Sequence, residues 1–346
     1  MTLRLAILGF GTVGQGFVEI LLRKREFLAR EFGAVFSVVA IADLAKGSLY
    51  HPDGLDLGAV LNALKTTGDL SHYPDVPGLV RGLDSLATIR TTTADTIIEA
   101  TFTNVEDGQP GLDHCREALT LGKNVVTTNK GPIALKLQEL QSLAHQSGVR
   151  ILYEGTVMSG TPVIRLAATA LAGNRIEGVR GILNGTSNYI LTRMQEGSTF
   201  RDALAEAQKL GYAEADPTND VDGYDAQYKV MILAQALFGA EILRQDVACT
   251  GIRSITREAV QEALREGGRY KLVASLERTV DGLRGRVQPE ILPEEDPLAG
   301  ISGATNALTF RGDLSGSVTV VGAGAGRVET GYALLADCLS LIRGQI

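Results

Sequence analysis

Cysteine is scarce. The chain has three in 346 residues, Cys115, Cys249 and Cys338, odd in number and far apart. No CxxC pair occurs, so a disulfide framework and a cysteine-built metal site are excluded, and reduced thiols in a cytoplasmic protein are expected. The four histidines, His51, His72, His114 and His145, lack metal-ligand spacing, which argues against a catalytic zinc. Long apolar runs are missing too. The longest candidate, Val230 to Leu243, is broken by Gln235 and Glu241; it is too short and polar to span a bilayer and reads as a buried core helix. No signal-peptide pattern follows the apolar first residues. Basic residues do not dominate: 33 lysines and arginines stand against 40 acids, a net charge of −7. A broad nucleic-acid surface is therefore not expected.

Glycine, by contrast, is abundant at 40 residues, which favours tight turns and close backbone approaches. The length suggests two domains, each able to bury its own core. The first begins with an apolar run, Leu3 to Leu8, a buried strand by pattern. Gly9-Phe10-Gly11-Thr12-Val13-Gly14 follows at once, and a helical pattern runs from Val13 to about Phe32. This strand, glycine turn and helix are the context a dinucleotide fingerprint requires. Gly9 permits the turn, Gly11 lets backbone approach a pyrophosphate, and Gly14 lets helix pack on strand. The free N–H groups of the helix start suit phosphates.

A second strand, Phe36 to Ala42, ends in Asp43, placed to bind the ribose hydroxyls of the adenosine. It lies 29 residues beyond Gly14, more than the usual ~20, as a lengthened first helix would give. An acid there favours NAD over NADP. Lys46 could instead neutralise a 2′-phosphate, although an ordinary exposed lysine reads as well. Residues 44 to 82 look like an irregular insertion with one short helix near Leu57 to Leu64. Alternation then resumes, with strands at Thr96 to Thr101, Asn124 to Thr128 and Val149 to Tyr153, and helices at Gly111 to Leu121 and Ile133 to Gln146. Such order implies a parallel sheet with right-handed crossovers. Thr101, Asn129, Lys130 and Glu154 fall at the carboxyl ends of strands, where ligands sit.

The style changes after about Thr161. Strand patterns appear at Ile176 to Leu183, Tyr270 to Glu277, Leu283 to Gln288 and Ala307 to Arg311, as in a mixed sheet. The glycine-rich tail Val318 to Gly326 leads to a last helix, Glu329 to Leu341, and is expected to fold back on the first domain, although a plain turn is the simpler reading. The expected fold is α/β: a Rossmann-type dinucleotide-binding domain of residues 1–150 and 316–346, and an α+β substrate-binding and dimerisation domain of residues 151–315. Within the latter, residues 211–229 concentrate the acids Glu214, Asp216, Asp220, Asp222 and Asp225 in a loop broken by Pro217 and Gly223, and close on Lys229. Acids in a loop can grip an ammonium group, and a lysine among them can give or take a proton. The plainer reading is a surface i, i+4 pair of Asp225 and Lys229 worth about 0.2–0.5 kcal/mol, with Asp222 as a helix cap.

Along nearly its whole length the chain resembles homoserine dehydrogenase. The matching motifs are Gly9 to Gly14, Thr127-Thr-Asn-Lys130, Glu154 to Pro162, Gly181 to Ile190, and Gly211-Tyr212-Ala-Glu214-Ala-Asp-Pro217 with Asp225 and Lys229. The resemblance implies interconversion of L-homoserine and L-aspartate 4-semialdehyde with NAD or NADP, on the route to threonine and methionine. It implies that Lys229 is the acid–base lysine, that Asp220 and Asp225 orient it or the substrate, and that Lys130 lies near nicotinamide and substrate. Which lysine moves the proton stays open, with Lys229 favoured. Glu214 suits the substrate ammonium, and Thr186 with backbone near Gly185 suits its carboxylate; Tyr212 falls in the same motif. Gly322 joins the cofactor set through the glycine-rich tail.

The resemblance also implies a structural sodium ion held by the loop of Glu154, Val157, Ser159 and Thr161, although that loop could simply join the domains. It further implies a homodimer through the mixed sheet, compatible with an exposed apolar character expected around Ile176 to Ile190 and Ala307 to Phe310. The sequence leaves no room for a regulatory domain, so no separate-site inhibition by threonine is expected. Three other readings are weaker. Aspartate-semialdehyde dehydrogenase chemistry needs a cysteine nucleophile, and no cysteine sits in a credible motif. Another Rossmann oxidoreductase is disfavoured by the acidic loop. A nucleotide-sensing regulator would need a partner-binding module.

Overall fold

The computed structural model describes residues 2–344. Two compact units share the chain: Met1–Gly160 with Gly326–Ile346, and Thr161–Ala325.

In the first unit the order is β1 (Thr2–Leu8), α1 (Thr12–Phe32), β2 (Val35–Asp43), β3 (Gly47–Tyr50), α2 (Leu57–Thr67), β4 (Val80–Arg81), α3 (Ser85–Thr91), β5 (Thr96–Glu99), α4 (Gly111–Thr120), β6 (Asn124–Thr127), α5 (Lys130–Gln146), β7 (Ile151–Leu152) and the single turn α6 (Gly155–Met158). The sheet runs β4-β3-β2-β1-β5-β6-β7. β2, β1, β5, β6 and β7 are parallel, and β3 and β4 extend the β2 edge antiparallel. The chain winds outward from β1 to β2, then restarts at β5 on the other side of β1. This makes β1/β5 the switch point, where open sheets of this kind bind ligands at the strand ends.

Parallel strands need cover on both faces, and β1 complies: Leu5, Ala6, Ile7 and Leu8 are all buried. Helix α1 buries Phe17, Val18, Ile20, Leu21 and Leu28, at about 1.5–3 kcal/mol for each large side chain. It stops at Gly33, a left-handed residue (φ 59) whose N–H bonds the Ala29 carbonyl.

The second unit contains α7 (Val163–Ala168), β8 (Ile176–Ile182), α8 (Gly185–Gln195), α9 (Phe200–Lys209), α10 (Thr218–Val221), α11 (Tyr224–Phe238), β9 (Val247–Cys249), α12 (Arg257–Arg265), β10 (Gly268–Thr279), β11 (Gly282–Pro293), β12 (Thr305–Gly312) and β13 (Gly316–Ala323). Its mixed sheet runs β13-β12-β8-β10-β11-β9. Helix α11 is apolar nearly all round and is buried continuously from Ala226 to Gln235, as a core helix should be. One lysine, Lys271 on β10, is 1% exposed. Its Nζ donates to Asn188 Oδ1 at 3.3 Å and to the Ile301 carbonyl. Burial, then the Arg269 charge, pulls its pKa down to about 8. The last helix, α13 (Arg327–Ile342), belongs to the first unit. It lies close along α1, because a Cβ on Gly331 would meet the Phe17 backbone nitrogen at 2.7 Å.

Several sequence expectations change here. The domain boundaries move: residues 151–160 stay with the first unit, and 316–325 stay with the second. The reason is pairing, since β13 hydrogen-bonds along the whole of β12 from Gly316 to Ala323. Gly322 is therefore a strand residue of the mixed sheet, and only the final helix returns to the first unit. The insertion of residues 44–82 is also more ordered than expected, because β3 and β4 pair onto β2. Finally, Ile182, Ile190, Ala307, Leu308 and Phe310 are buried inside the second unit, so they offer no exposed apolar surface for dimerisation.

Candidate functional site

The first unit builds its ligand end from short loops. Gly9 is left-handed (φ 83), and a Cβ there would fall 2.4 Å from the Ala100 carbonyl oxygen. The turn after β1 thus lies directly against the chain leaving β5. A Cβ on Gly14 would fall 2.6 Å from the Gly9 oxygen, which is the close helix–strand packing the motif anticipates. A Cβ on Gly11 would meet nothing within 4 Å. That empty space beside the start of α1 is where backbone can approach a pyrophosphate. Thr12 is exposed and Val13 half-buried, while Phe10 is wholly buried.

Asp43 is tied down by backbone. Its Oδ2 accepts from Phe10 N at 2.6 Å, and its Oδ1 from Lys46 N at 2.9 Å and Ala45 N at 3.0 Å. Burial pushes this carboxyl up, but the N–H groups of Phe10, Lys46 and Ala45 with the Lys46 charge outweigh burial and hold it below the usual range. Lys46 Nζ lies 4.0 Å from Asp43 Oδ1, so the two candidate ribose-site residues face one another.

Thr101 follows β5, and Asn129 and Lys130 follow β6. Asn129 caps α5, its Oδ1 accepting from Gly131 N at 3.1 Å. Its Nδ2 donates to Phe102 O at 3.2 Å and Thr101 Oγ1 at 3.4 Å, joining the two loops. Lys130 is the first residue of α5 and is half-buried.

In the second unit the acidic segment forms a cluster around Lys229. This lysine is 6% exposed, on the second turn of α11. Its Nζ lies 2.8 Å from Asp225 Oδ2 and donates to the Leu183 carbonyl at 2.5 Å. So the pair is no solvated surface bridge: a buried cation persists only when paired and hydrogen-bonded. Asn184, the cap of α8, organises the acids. Its Nδ2 donates to Asp220 Oδ1 at 2.6 Å and Asp225 Oδ2 at 3.0 Å, while its Oδ1 accepts from Ser187 N at 2.8 Å. Burial raises the Asp220 pKa. The Asn184 amide opposes that, the Asp225 charge adds to it, and Lys229 opposes it. Thr186 donates to the Tyr212 carbonyl at 2.6 Å, and Gly185 has no room for a Cβ, which would sit 2.6 Å from Ala304 O. The structure thus gathers Asp220, Asp225, Lys229, Thr186 and Gly185 around one helix start. Tyr212 and Glu214 are exposed beside it, and among the described residues the Glu214 carboxylate has no hydrogen-bond or ion-pair partner.

Asp222 stands apart, paired with Arg253 at 2.5 Å. Asn184 is the central residue that sequence reasoning gave no role. An Asn three residues before Ser187 at a helix start is a capping signal, but nothing local shows that its amide also reaches Asp220 and Asp225.

Of the four candidate cation ligands, Glu154, Val157 and Ser159 lie in the first unit and are buried. Ser159 is left-handed (φ 53), alone among the described non-glycine residues. Thr161 opens the second unit and donates to the Ala323 carbonyl at 3.0 Å. Among the described residues no three His, Cys, Asp or Glu side chains gather as a metal site. A buried carboxylate with carbonyl oxygens fits a hard monovalent ion, not a transition metal.

The cysteines sit where burial disfavours the thiolate. Burial, and then nearby acids, push the thiols of Cys115 and Cys338 well above the ordinary value, and burial lifts Cys249 to about 11. None offers the thiolate that a thioacyl mechanism requires. Among the described residues no helix is long and apolar enough to cross a membrane.

A glycine turn at the switch point of a parallel sheet, with a buried lysine–carboxylate cluster in a second unit, defines a dinucleotide-dependent oxidoreductase. Known proteins narrow this. The family model described as "Homoserine dehydrogenase, NAD binding domain" matches residues 9–154, and that described as "Homoserine dehydrogenase" matches residues 162–339. The NAD(+)-dependent homoserine dehydrogenase of Pseudomonas canavaninivorans is 46% identical over 339 residues, covering 98% of this chain and 96% of that one. The homoserine dehydrogenase of Methanocaldococcus jannaschii is 40% identical over 336 residues, covering 97% of each. A solved hyperthermophilic archaeal homoserine dehydrogenase in complex with NADPH superposes with a TM-score of 0.85 at 29% identity, covering all of this chain and 99% of its own. The chain belongs to the homoserine dehydrogenase family.

Proposed function

We propose that this homoserine dehydrogenase divides its chemistry between the units: the first holds the dinucleotide, and Lys229 in the second moves the proton. The reaction interconverts L-homoserine and L-aspartate 4-semialdehyde. When bound, NAD(P)⁺ accepts the hydride that leaves the hydroxyl-bearing carbon of homoserine. Lys229 as the neutral amine takes the hydroxyl proton in that direction, becoming the ammonium; in reverse the ammonium stabilises the developing alkoxide and gives the proton to the aldehyde oxygen. Asp225 and the Leu183 carbonyl fix the Nζ, and Asn184 keeps Asp220 and Asp225 in register. The exposed carboxylate of Glu214 meets the substrate ammonium, with Tyr212 beside it. The helix start at Gly185 and Thr186 meets the substrate carboxylate. Lys130 holds charge near the nicotinamide. The observation that carries this reading is the buried Lys229, paired with the Asp225 carboxylate and donating to the Leu183 carbonyl. Homoserine-dependent reduction of NAD⁺, followed by nicotinamide absorbance, tests it; no turnover with homoserine would overturn it.

NAD is the preferred cofactor in this account. Asp43 presents a charge held firmly ionised by three backbone N–H groups, and a 2′-phosphate would be repelled by it. Lys46 leans onto that same carboxylate. Asp43→Asn keeps an acceptor for Phe10 N–H and removes the charge. The ratio of kcat/KM for NADP to that for NAD should rise about tenfold, as for loss of one close charge repulsion. An unchanged ratio would move the ribose site elsewhere. Gly322 lies on β13, so any cofactor contact it makes comes from the second unit.

A structural sodium ion held by Glu154 with carbonyls of the Val157 and Ser159 loop extends this reading, since an all-oxygen ligand set suits a hard cation. Melting temperature should be higher in sodium chloride than in N-methylglucamine chloride of equal ionic strength, and equal values would contradict the site.

The protein acts as a homodimer through its mixed sheet. Register places Arg180, Ser275, Arg286, Thr309, Thr319 and Val321 on one sheet face, and Val321 is 51% exposed. Light scattering should give twice the 36.7 kDa chain mass; an active monomer would contradict this. Three free thiols fit a reducing cytoplasm, which fractionation of cells would check, recovery with membranes being the contrary result.

A further inference from the structure

Glu99 closes β5 with a carboxylate that is 0% exposed. Its neighbours Ile97 and Ile98 are also fully buried, and an apolar side chain would be the ordinary choice there. Burying a carboxylate is costly unless donors surround it. They do. Oε1 accepts from Thr101 N at 3.3 Å and from the Thr101 hydroxyl, and faces His114 Nδ1 at 3.4 Å. Oε2 lies 3.3 Å from the Thr127 hydroxyl, which also donates to the Glu99 carbonyl at 2.9 Å. That same hydroxyl accepts from Asn129 N at 3.0 Å. Asn129 in turn donates to Thr101 Oγ1 and the Phe102 carbonyl. The contacts therefore close a ring: Glu99, Thr101, Asn129, Thr127 and back to Glu99. Nothing can expand into it from α4, because a Cβ on Gly111 would fall 2.6 Å from Asn129 Nδ2 and 3.2 Å from Glu99 Oε2.

The ring spans two loops. One leaves β5 and carries Thr101; the other leaves β6 and carries Asn129 and Lys130. Both sit at the carboxyl ends of parallel strands, beside the switch point.

We propose that Glu99 is a positioning residue for hydride transfer, fixing the loops after β5 and β6 in one arrangement through its buried carboxylate. It touches neither substrate nor cofactor and acts through Thr101, Thr127 and Asn129. His114 supports it from α4, giving the carboxylate a partner from a third element. The inference rests on the reading that these two loops, with Lys130, face the nicotinamide.

The test uses the full-length protein. Glu99→Gln keeps the volume but turns an amide N–H₂ toward groups that are themselves donors. NADH affinity, read by fluorescence titration, should weaken about tenfold, the scale of one lost charge-assisted hydrogen bond. The deuterium isotope effect on turnover with 4-deuterated cofactor should grow as hydride transfer becomes slower, while the homoserine KM stays as it was. A purely structural role would lower the melting temperature and leave the affinity and isotope effect of the folded enzyme unchanged; that result overturns the proposal. Should Glu99→Gln fail to fold, the Thr127 pair decides. Thr127→Val should reproduce the affinity and isotope changes, and Thr127→Ser should restore both. Equal behaviour of Val and Ser would overturn the proposal. Lys130→Met separates the two levels. If it alters hydride transfer while the Glu99 and Thr127 variants do not, the ring has no positioning role. If Lys130→Met changes nothing, the assignment of these loops to the nicotinamide fails with it.

Discussion

Replacing Lys229 with methionine is expected to lower turnover by about 10²–10⁴, the usual contribution of a positioned general acid–base group. Methionine keeps most of the volume inside α11 and removes the charge. The loss should appear in kcat for both directions of the reaction, because on the proposed mechanism the same Nζ would accept the proton in oxidation and return it in reduction. Cofactor affinity should hold, since Lys229 lies in the second unit and the dinucleotide fingerprint in the first. The half-buried Asp225 loses its Lys229 partner in this variant while keeping the Asn184 amide. Loss of that pair is expected to lower stability, so melting temperature must be recorded beside the rate. The variant Lys229→Met with Asp225→Asn removes both charges. It should recover stability but no activity. Recovery of activity with stability would mean that Lys229 is a structural ion-pair member.

The second large effect lies in the glycine turn, where Gly9 and Gly11 should behave differently. Gly9→Ala forces a side chain into a left-handed backbone, at about 1–2 kcal/mol. It also drives a Cβ into the Ala100 carbonyl, 2.4 Å away, and toward Thr101 N at 2.6 Å. Backbone cannot swing aside as a long side chain can, so the β1 and β5 exits must separate. Both stability and NADH affinity should fall, the folded-to-unfolded ratio by about 5–30-fold from the strain alone. Gly11→Ala is free of both problems: φ is −75 and nothing lies within 4 Å of the added carbon. Its melting temperature should match the parent while NADH affinity drops, because the new methyl occupies the space for the pyrophosphate. Calorimetry with fluorescence titration reads both. Normal cofactor binding by Gly11→Ala would place the phosphates elsewhere.

The elements that were legible in the sequence are those specified by neighbours in the chain. β1, the glycine turn and α1 are contiguous, and each glycine has a local steric reason. α11 announces itself by the apolar run from Val230 to Ala234, which the structure buries, and the acidic segment by composition. β3 and β4 were not legible as strands, since segments so short become strands only when another strand offers its edge, and β13 was hidden by its glycines, which read as a turn although the segment pairs along β12. The same limit applies to the site. Lys229 and Asp225 are one helical turn apart and could be paired from spacing, whereas Asn184 reaches Asp220 and Asp225 across 36 and 41 residues. Glu99 fell inside the expected strand Thr96 to Thr101 and carried no role there. Its partners at 101, 114 and 127 converge only because β5, α4 and β6 are packed together. The exposure expected near Ile182 and Phe310 was misread for a related reason: apolar residues there signal burial, but the pattern does not say whether the cover comes from the same unit or another chain.

Single-turnover oxidation of homoserine by Lys229→Met and Lys130→Met, with NAD⁺ affinity measured separately for each, tests the assignment of the proton most directly. The account predicts that Lys229→Met binds NAD⁺ normally and loses the chemical step, while Lys130→Met is impaired mainly through binding. A Lys229→Met enzyme that retains hydride transfer, beside a Lys130→Met enzyme that binds both ligands yet has lost it, would contradict the account and exchange the roles of the two lysines.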